Sequence, residues 1–376
     1  EWAHAYMGGL VGLAGGAMIY GALPRLVRHP CWTTSVLMAC GVMLLANGRP
    51  YEGLVSSLPV ATALLFQIGK RIKSHWRQDL AQIVLPSLVV FTAIGSWMAY
   101  YNHTVTGRWT TMPYQVYEET YGLYKNFVWS TPREVPSYRH PVIRAFYTQW
   151  VAHKYDSQQT FAGFLAYKTA RFSNAFDFYL GKLLLIPLLF SLPTVWSRKW
   201  MPFLALSLGV GLAGSSIVVW LNPRYLAPVM PIVFLFVVQG LRRLRQFGGR
   251  RSAFGQMLVL VIVAIHSIDT VEAAATFANP QRDHWSYRRA SIDTKLQADP
   301  MSHVVIVSYA KNHNVLKEWV YNRADIDAAK VVWARDMGPE KNRELIDYFK
   351  DRRIWRLYAD DEPPRLVPYH DDSPKQ

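Results

Sequence analysis

The sequence predicts a polytopic α-helical membrane bundle of about eight spans followed by a small soluble α/β domain, and three observations carry the prediction. Residues 5–273 hold nearly all the long apolar runs, Lys and Arg alternate between the short loops that join them, and residues 280–376 change to an ordinary polar rhythm. The 376-residue chain is 51% hydrophobic and 14% aromatic but only 18% charged, richer in apolar and aromatic residues than a typical soluble domain.

A crossing helix needs about 20 apolar residues, with about 17 tolerated. The candidate spans are 6–23, 31–47, 53–69, 80–100, 180–196, 201–220, 226–241 and 254–273. Spans one to four thus fill residues 1–100, and spans five to eight fill 180–273. Pro187, Pro193, Pro228 and Pro231 interrupt the later runs and loosen their boundaries. Cys31 and Cys40, nine residues apart on one apolar helix, are too distant to bridge and read as packing residues.

Orientation follows from the basic residues. One set of short loops holds Arg25 and Arg28, then Lys70, Arg71, Lys73 and Arg77, then Arg198 and Lys199, then Arg242, Arg243, Arg245, Arg250 and Arg251. The alternate short loops hold only Arg49 and Arg224. The first set is therefore expected on the cytoplasmic side. The formal charge of +15 is thereby explained as topology, and a nucleic-acid partner is not expected.

That orientation sends NGRPYEG (47–53), the long loop 101–179, NPRY (222–225) and the C-terminal domain, 280–376, to the outer face. The long loop carries eleven tyrosines from Tyr100 to Tyr179, with Trp109, Trp129 and Trp150 among them. Such rings favour the headgroup level and also stack on sugars. Residues 161–180 place Phe161, Phe164, Leu165, Phe172 and Phe176 largely on one face, as expected of an interfacial helix running into the next span.

In the C-terminal domain the expected strands are 303–309, 330–334 and 352–358, with helices at 312–320 and 339–351, a small parallel α/β sheet. Lys311, His313 and Asp336 fall at the strand ends, where open α/β sheets tend to bind ligands. No glycine-rich phosphate loop accompanies them, so a cap or support role is expected.

Two outer arginines break the charge rule, each in a tight, Pro-containing turn beside a Tyr. Arg49 lies in N-G-R-P-Y and Arg224 in N-P-R-Y. A guanidinium offers a planar fork of donors suited to a phosphate. The expected site holds a lipid-linked phosphate with Arg49, Arg224 and Tyr225, lined by Asn47, Tyr51, Glu52 and Asn222. Glu52 could pair with Arg49 in a purely structural ion pair, hold it in place, or act on a substrate hydroxyl. His103, His140 and His153 lack ligand spacing with Glu118, Glu119 or Asp156, so no metal ligands are assigned, although a divalent metal is compatible with the chemistry. There is no Walker loop, no C-x-x-C and no Ser/His/Asp arrangement.

The stretches ANGRPYEGL (46–54) and LNPRYLAPVMP (221–231), with the long aromatic loop and the trailing α/β domain, resemble the GT-C superfamily of integral membrane glycosyltransferases, including the protein mannosyltransferases and aminoarabinose transferases. The resemblance extends by architecture over residues 1–273. It implies a bacterial inner (plasma) membrane protein with a periplasmic C-terminal domain. It also implies transfer of a sugar from a polyprenyl-phosphate donor to a glycan, lipid or protein acceptor. In that family an acid of the first outer loop removes the acceptor's proton, and basic residues stabilise the departing lipid phosphate. Arg224 matches the family's R-Y by position. Before Asp79 the only acids are Glu1 and Glu52, so either the expected acid lies upstream of Glu1 or the chemistry differs, and Glu52 is a candidate for the role. The alternatives are an O-antigen ligase or polymerase acting on a diphosphate-linked glycan, a transporter or flippase for lipid-linked sugars, and a non-catalytic scaffold. A flippase would predict charges deep in the spans and repeated halves; neither is visible.

Overall fold

The computed structural model describes residues 9–249, 253–278 and 284–370. Glu1, the start of the first expected span, Arg250 and Arg251 lie outside the described residues. The chain divides into two compact units. One comprises residues up to Pro136 together with Val151–Ala275; the other comprises Ser137–Trp150 together with Thr276 onward. A stretch of the long loop 101–179 therefore belongs with the C-terminal unit.

The first unit is helical. Its leading helices are α1 (Gly9–Arg28), α2 (Trp32–Gly48), α3 (Pro50–Asp79) and α4 (Leu85–Thr106). Among the described residues four segments are long and apolar enough to cross a membrane: Gly9–Arg28, Pro50–Thr106, Pro223–Leu244 and Ala253–Thr276. A bent pair, Phe161–Leu180 with Leu185–Ser191, makes a fifth if it is one span. Trp32–Gly48 and Met201–Ser216 are apolar but shorter.

The loop expected at 70–79 is helical instead. After Gly69 no Gly or Pro interrupts the chain until Pro86, and its Lys, Arg and Gln residues are good helix formers. The helix kinks at His75, whose φ and ψ are −130° and 16°. Arg71 pairs with the buried Asp79 across that kink, Nε to Oδ2 at 3.0 Å. A π-helical turn, Leu80–Val84, follows. Gln82 then meets the start of α2, its carbonyl accepting from Ser35 Oγ at 2.7 Å. The chain has doubled back.

Beyond α4 come α5 (Pro113–Tyr121), α6 (Pro141–Ala145), α7 (Ala152–Asp156) and α8 (Phe161–Leu180). The expected span 180–196 is broken. Gly181 adopts φ +59°, a conformation that favours glycine, and α8 meets α9 (Leu185–Ser191) at 102°. A short α10 (Thr194–Ser197) leads to α11 (Met201–Ser216). Residues 217–220, expected as the end of a span, instead run beside the long loop through an antiparallel bridge between Phe127 and Val218. A 3₁₀ segment, Pro223–Val229, feeds α12 (Met230–Leu244), and α13 (Ala253–Ala278) closes the unit.

Ile19, Leu23 and Leu26 of α1 pack with Leu45, Val60, Leu64, Ile232 and Phe236 in one core. A second core joins Leu180, Leu226, Met230, Val233 and Ile262. Outside these cores the apolar surface is open: Leu260, Ile268 and Val271 of α13 are each more than 60% exposed. A helix apolar on faces that no protein covers, with its backbone bonded internally, suits lipid.

The second unit contains α14 (Trp285–Ala298) and a four-stranded sheet of β1 (His303–Ser308), β2 (Val331–Arg335), β3 (Arg353–Tyr358) and β4 (Arg365–Pro368). The order is β2-β1-β3-β4, parallel except for β4. α15 (Pro339–Tyr348) connects β2 to β3. The helix expected at 312–320 is absent. Side chains hold that segment in turns: Leu316 N donates to Asn314 Oδ1, and Val320 N to Glu318 Oε1, local bonds that compete with a helix. Trp319 nevertheless anchors the core at 2% exposure.

Candidate functional site

The break at NGRPYEG is first of all a helix boundary. Arg49 ends α2 and precedes α3, Pro50 begins α3, and Glu52 sits in its first turn. Proline suits a first helical position, and an acid there complements the helix dipole. NPRY is built alike. Asn222 caps the 3₁₀ segment, its Oδ1 accepting from Arg224 N at 3.1 Å, and Pro223 follows.

The two turns meet. The Arg49 guanidinium lies 3.6 Å from the centroid of the Tyr225 ring, a cation–π contact. Arg224 lies 5.7 Å from the Phe178 ring of α8. Its stem passes Gly9, where a Cβ would stand 3.4 Å from Arg224 Cγ. Further along α1, a Cβ at Gly16 would come within 1.9 Å of the Pro228 carbonyl oxygen. Glycines thus let α1 approach the segment that carries Arg224.

Both arginines keep a buried Nε–H without a hydrogen-bond partner. Buried polar groups are normally satisfied, so these donors mark a place where an acceptor is wanted. Among the described residues no ion pair joins Arg49 to Glu52. Glu52 is 9% exposed. Tyr51 braces the turn: its hydroxyl donates to the Gly214 carbonyl at 2.9 Å, and its ring meets Phe127 edge-on at 5.2 Å. Asn47 is exposed in the last turn of α2. Tyr51 and Asn222 therefore support the backbone, whereas Arg49, Arg224 and Tyr225 present chemistry.

Sequence reasoning did not single out α5 for a role at this site. Burial raises the Tyr114 phenol, and the Glu118 and Glu52 carboxylates raise it further. Burial likewise raises the Glu118 carboxyl against the opposing pull of Arg133, whose Nη2 donates to the Gly122 carbonyl at 2.5 Å. Two partly shielded carboxylates thus act on one phenol, from residues 66 positions apart in the chain. No local spacing could have revealed that.

Among the described residues no three His, Cys, Asp or Glu side chains gather as metal ligands. His103 stacks on Trp109 at 4.3 Å. His140 lies in the second unit, where burial and then Arg335 push it below the usual histidine range while Glu318 and Asp336 oppose them. Of the strand-end residues there, Lys311 is exposed. His313 Nδ1 pairs with Asp360 at 2.8 Å. Asp336 accepts from Ser308 Oγ at 2.5 Å and Asn342 Nδ2 at 2.8 Å.

No protein-family model matches the chain, and neither a curated protein nor a solved structure is significantly similar to it.

Proposed function

We propose that this protein is a membrane glycosyltransferase that moves a sugar from a polyprenyl-phosphate donor to an acceptor at the outer face of a bacterial inner membrane. The observation that carries the reading is the meeting of two helix-start turns, with Arg49 on the Tyr225 ring and an unpartnered buried Nε–H on both Arg49 and Arg224. A phosphate leaving a sugar gains negative charge, and fixed guanidinium donors stabilise that charge as it develops. Tyr225 holds the Arg49 plane in place, so little side-chain freedom is lost on binding.

The helical architecture supports a membrane protein: four described segments, or five with the bent pair, are long and apolar enough to cross a membrane. Ser137–Trp150, from the long loop, belongs with the C-terminal unit, which supports a shared side for the two in this reading. In this reading Glu52 or Glu118, which both act on the Tyr114 phenol, accepts the proton of the acceptor hydroxyl.

The test uses the full chain in a phosphatidylcholine bilayer with a radiolabelled sugar on polyprenyl phosphate. The expected result is loss of sugar from the lipid, with turnover falling about 100-fold or more in Arg224→Ala. Label that stays on the lipid under every acceptor tried, with Arg224→Ala binding the donor as the parent does, would overturn the reading.

A further inference from the structure

The outer loop holds a second group of cations. Lys168 of α8 is 3% exposed, and its Nζ donates to the Val218 carbonyl at 2.6 Å. It lies 5.5 Å from the Phe164 ring and 5.2 Å from that of Tyr167. Arg171, three residues on and so on the same helix face, lies 5.1 Å from the other partner of that pair, the Tyr167 ring. Lys154 of α7 stands 5.1 Å from the Trp220 ring. Lys168 and Lys154 both reach residues 218–220, just upstream of the NPRY turn, and Arg171 shares the Tyr167 ring with Lys168.

Like charges brought together in a partly desolvated place repel one another. Among the described residues no carboxylate forms an ion pair with Lys168 or Arg171. An ammonium has three donors, and the Val218 carbonyl takes one of those on Lys168. The rings beside Lys168 and Arg171 leave donors of both for a ligand. A guanidinium fork beside ammonium groups is the donor set that suits a tetrahedral oxyanion.

We infer that Lys168, Arg171 and Lys154 form a second anion-binding site, for a phosphate group, separate from Arg49 and Arg224. Consistent with shared confinement, burial and then Arg171 push Lys154 down to about 8. The site goes beyond glycosyl transfer and stands whether or not that reading holds. Its phosphate could belong to a soluble or substrate-borne group or to an anionic lipid headgroup, and the two sources are separable.

The probe is inorganic phosphate, titrated calorimetrically into the full chain in phosphatidylcholine nanodiscs. Saturable binding is expected, weakened about tenfold in Arg171→Gln and again in Lys154→Gln, the scale of one charge-assisted hydrogen bond. Both side chains are half-buried, and circular dichroism verifies that each variant folds. Lys168→Met is the stronger variant where it folds. Arg49→Ala with Arg224→Ala, by contrast, should leave at least one saturable site. Replacing the lipid by phosphatidylglycerol separates the sources: phosphate binding falls if headgroups fill the site and persists if they do not. Absence of saturable binding in phosphatidylcholine, or binding untouched by Arg171→Gln and Lys154→Gln, overturns the inference.

Discussion

The two units hold many of their charges differently. In the C-terminal unit five cations have carboxylates, Arg335 with Glu318, Arg356 with Asp336, Arg353 with Asp299, Arg365 with Asp361 and Lys341 with Glu344, while Arg289 and Arg352 donate to backbone carbonyls. In the membrane-type unit Arg71 is paired with Asp79 at the kink. Arg49, Arg224, Lys168 and Arg171 contact rings or a carbonyl group instead. Paired charges hold a fold together. A cation held by a ring face can keep edge donors for another group, as the buried Nε–H of Arg49 and of Arg224 do.

This contrast can be broken at several points, beginning with the largest effect. Asp79 is 2% exposed beside Arg71. Asp79→Ala should destabilise the first unit by about 3 kcal/mol, because it leaves Arg71 without its partner in a buried setting. Thermal unfolding in detergent would measure it. If stability is unchanged, the Arg71 pair does not hold the kink. Gly16→Val comes next. Its added atoms would collide with the Pro228 carbonyl, so a loss of about 1–3 kcal/mol is expected, together with weaker donor binding as α1 moves off the NPRY segment. Unaltered stability and binding would remove α1 from the account of how Arg224 is placed.

Asp336 sharpens the comparison from the other side. Burial alone would raise its carboxyl, but hydrogen bonds from Ser308, Asn342 and Gly338 and the nearby Arg356 overcome that and hold it below the ordinary range. A depressed folded pKa contributes stability that is fully present above about pH 3.9 and is lost as pH falls through the folded value. Asp336→Asn should cost about 1–2 kcal/mol at neutral pH and flatten the acid limb of the unfolding profile. An acid limb identical to the parent's would mean that Asp336 does not carry it. The smallest effect is at Lys154. Its folded pKa of about 8 lies below the usual lysine value, so the charged form is disfavoured by folding. Stability should therefore rise as pH climbs from about 8 towards about 10.5, and Lys154→Gln should remove that slope. A slope that survives the substitution belongs to another group.

What the sequence made legible follows the range of the interactions involved. Apolar runs and strand patterns are local, and most helices of the first unit and β1, β2 and β3 lie where the runs place them, although the 180–196 run is broken at Gly181 and residues 217–220 leave their expected span. The helical 70–79 segment was missed because a cluster of basic residues reads as a loop until Asp79 is seen to neutralise Arg71. The turns at 312–320 were missed for the opposite reason: apolar spacing suited a helix, but Asn314 and Glu318 bond the backbone locally. The α14 helix, with its mixed polar pattern, and the short edge strand β4 gave little signal. At the site, the repeated Asn, Pro, Arg and Tyr of two distant turns pointed to one place, and the stacking of Arg49 on Tyr225 joins them. Glu118, Lys168, Arg171 and Lys154 carried no such sign, because their meeting depends on how distant segments pack.

The most direct test of the contrast is donor binding by three variants of the full chain in phosphatidylcholine nanodiscs. The variants are Arg49→Ala, Arg224→Ala and, as a paired control, Arg335→Ala, and the ligand is a polyprenyl-phosphate sugar. The account predicts that each outer substitution weakens binding about tenfold or more while leaving unfolding nearly unchanged. Arg335→Ala should lower stability and leave binding as it was. Donor binding that is equal in the parent, Arg49→Ala and Arg224→Ala would contradict the account.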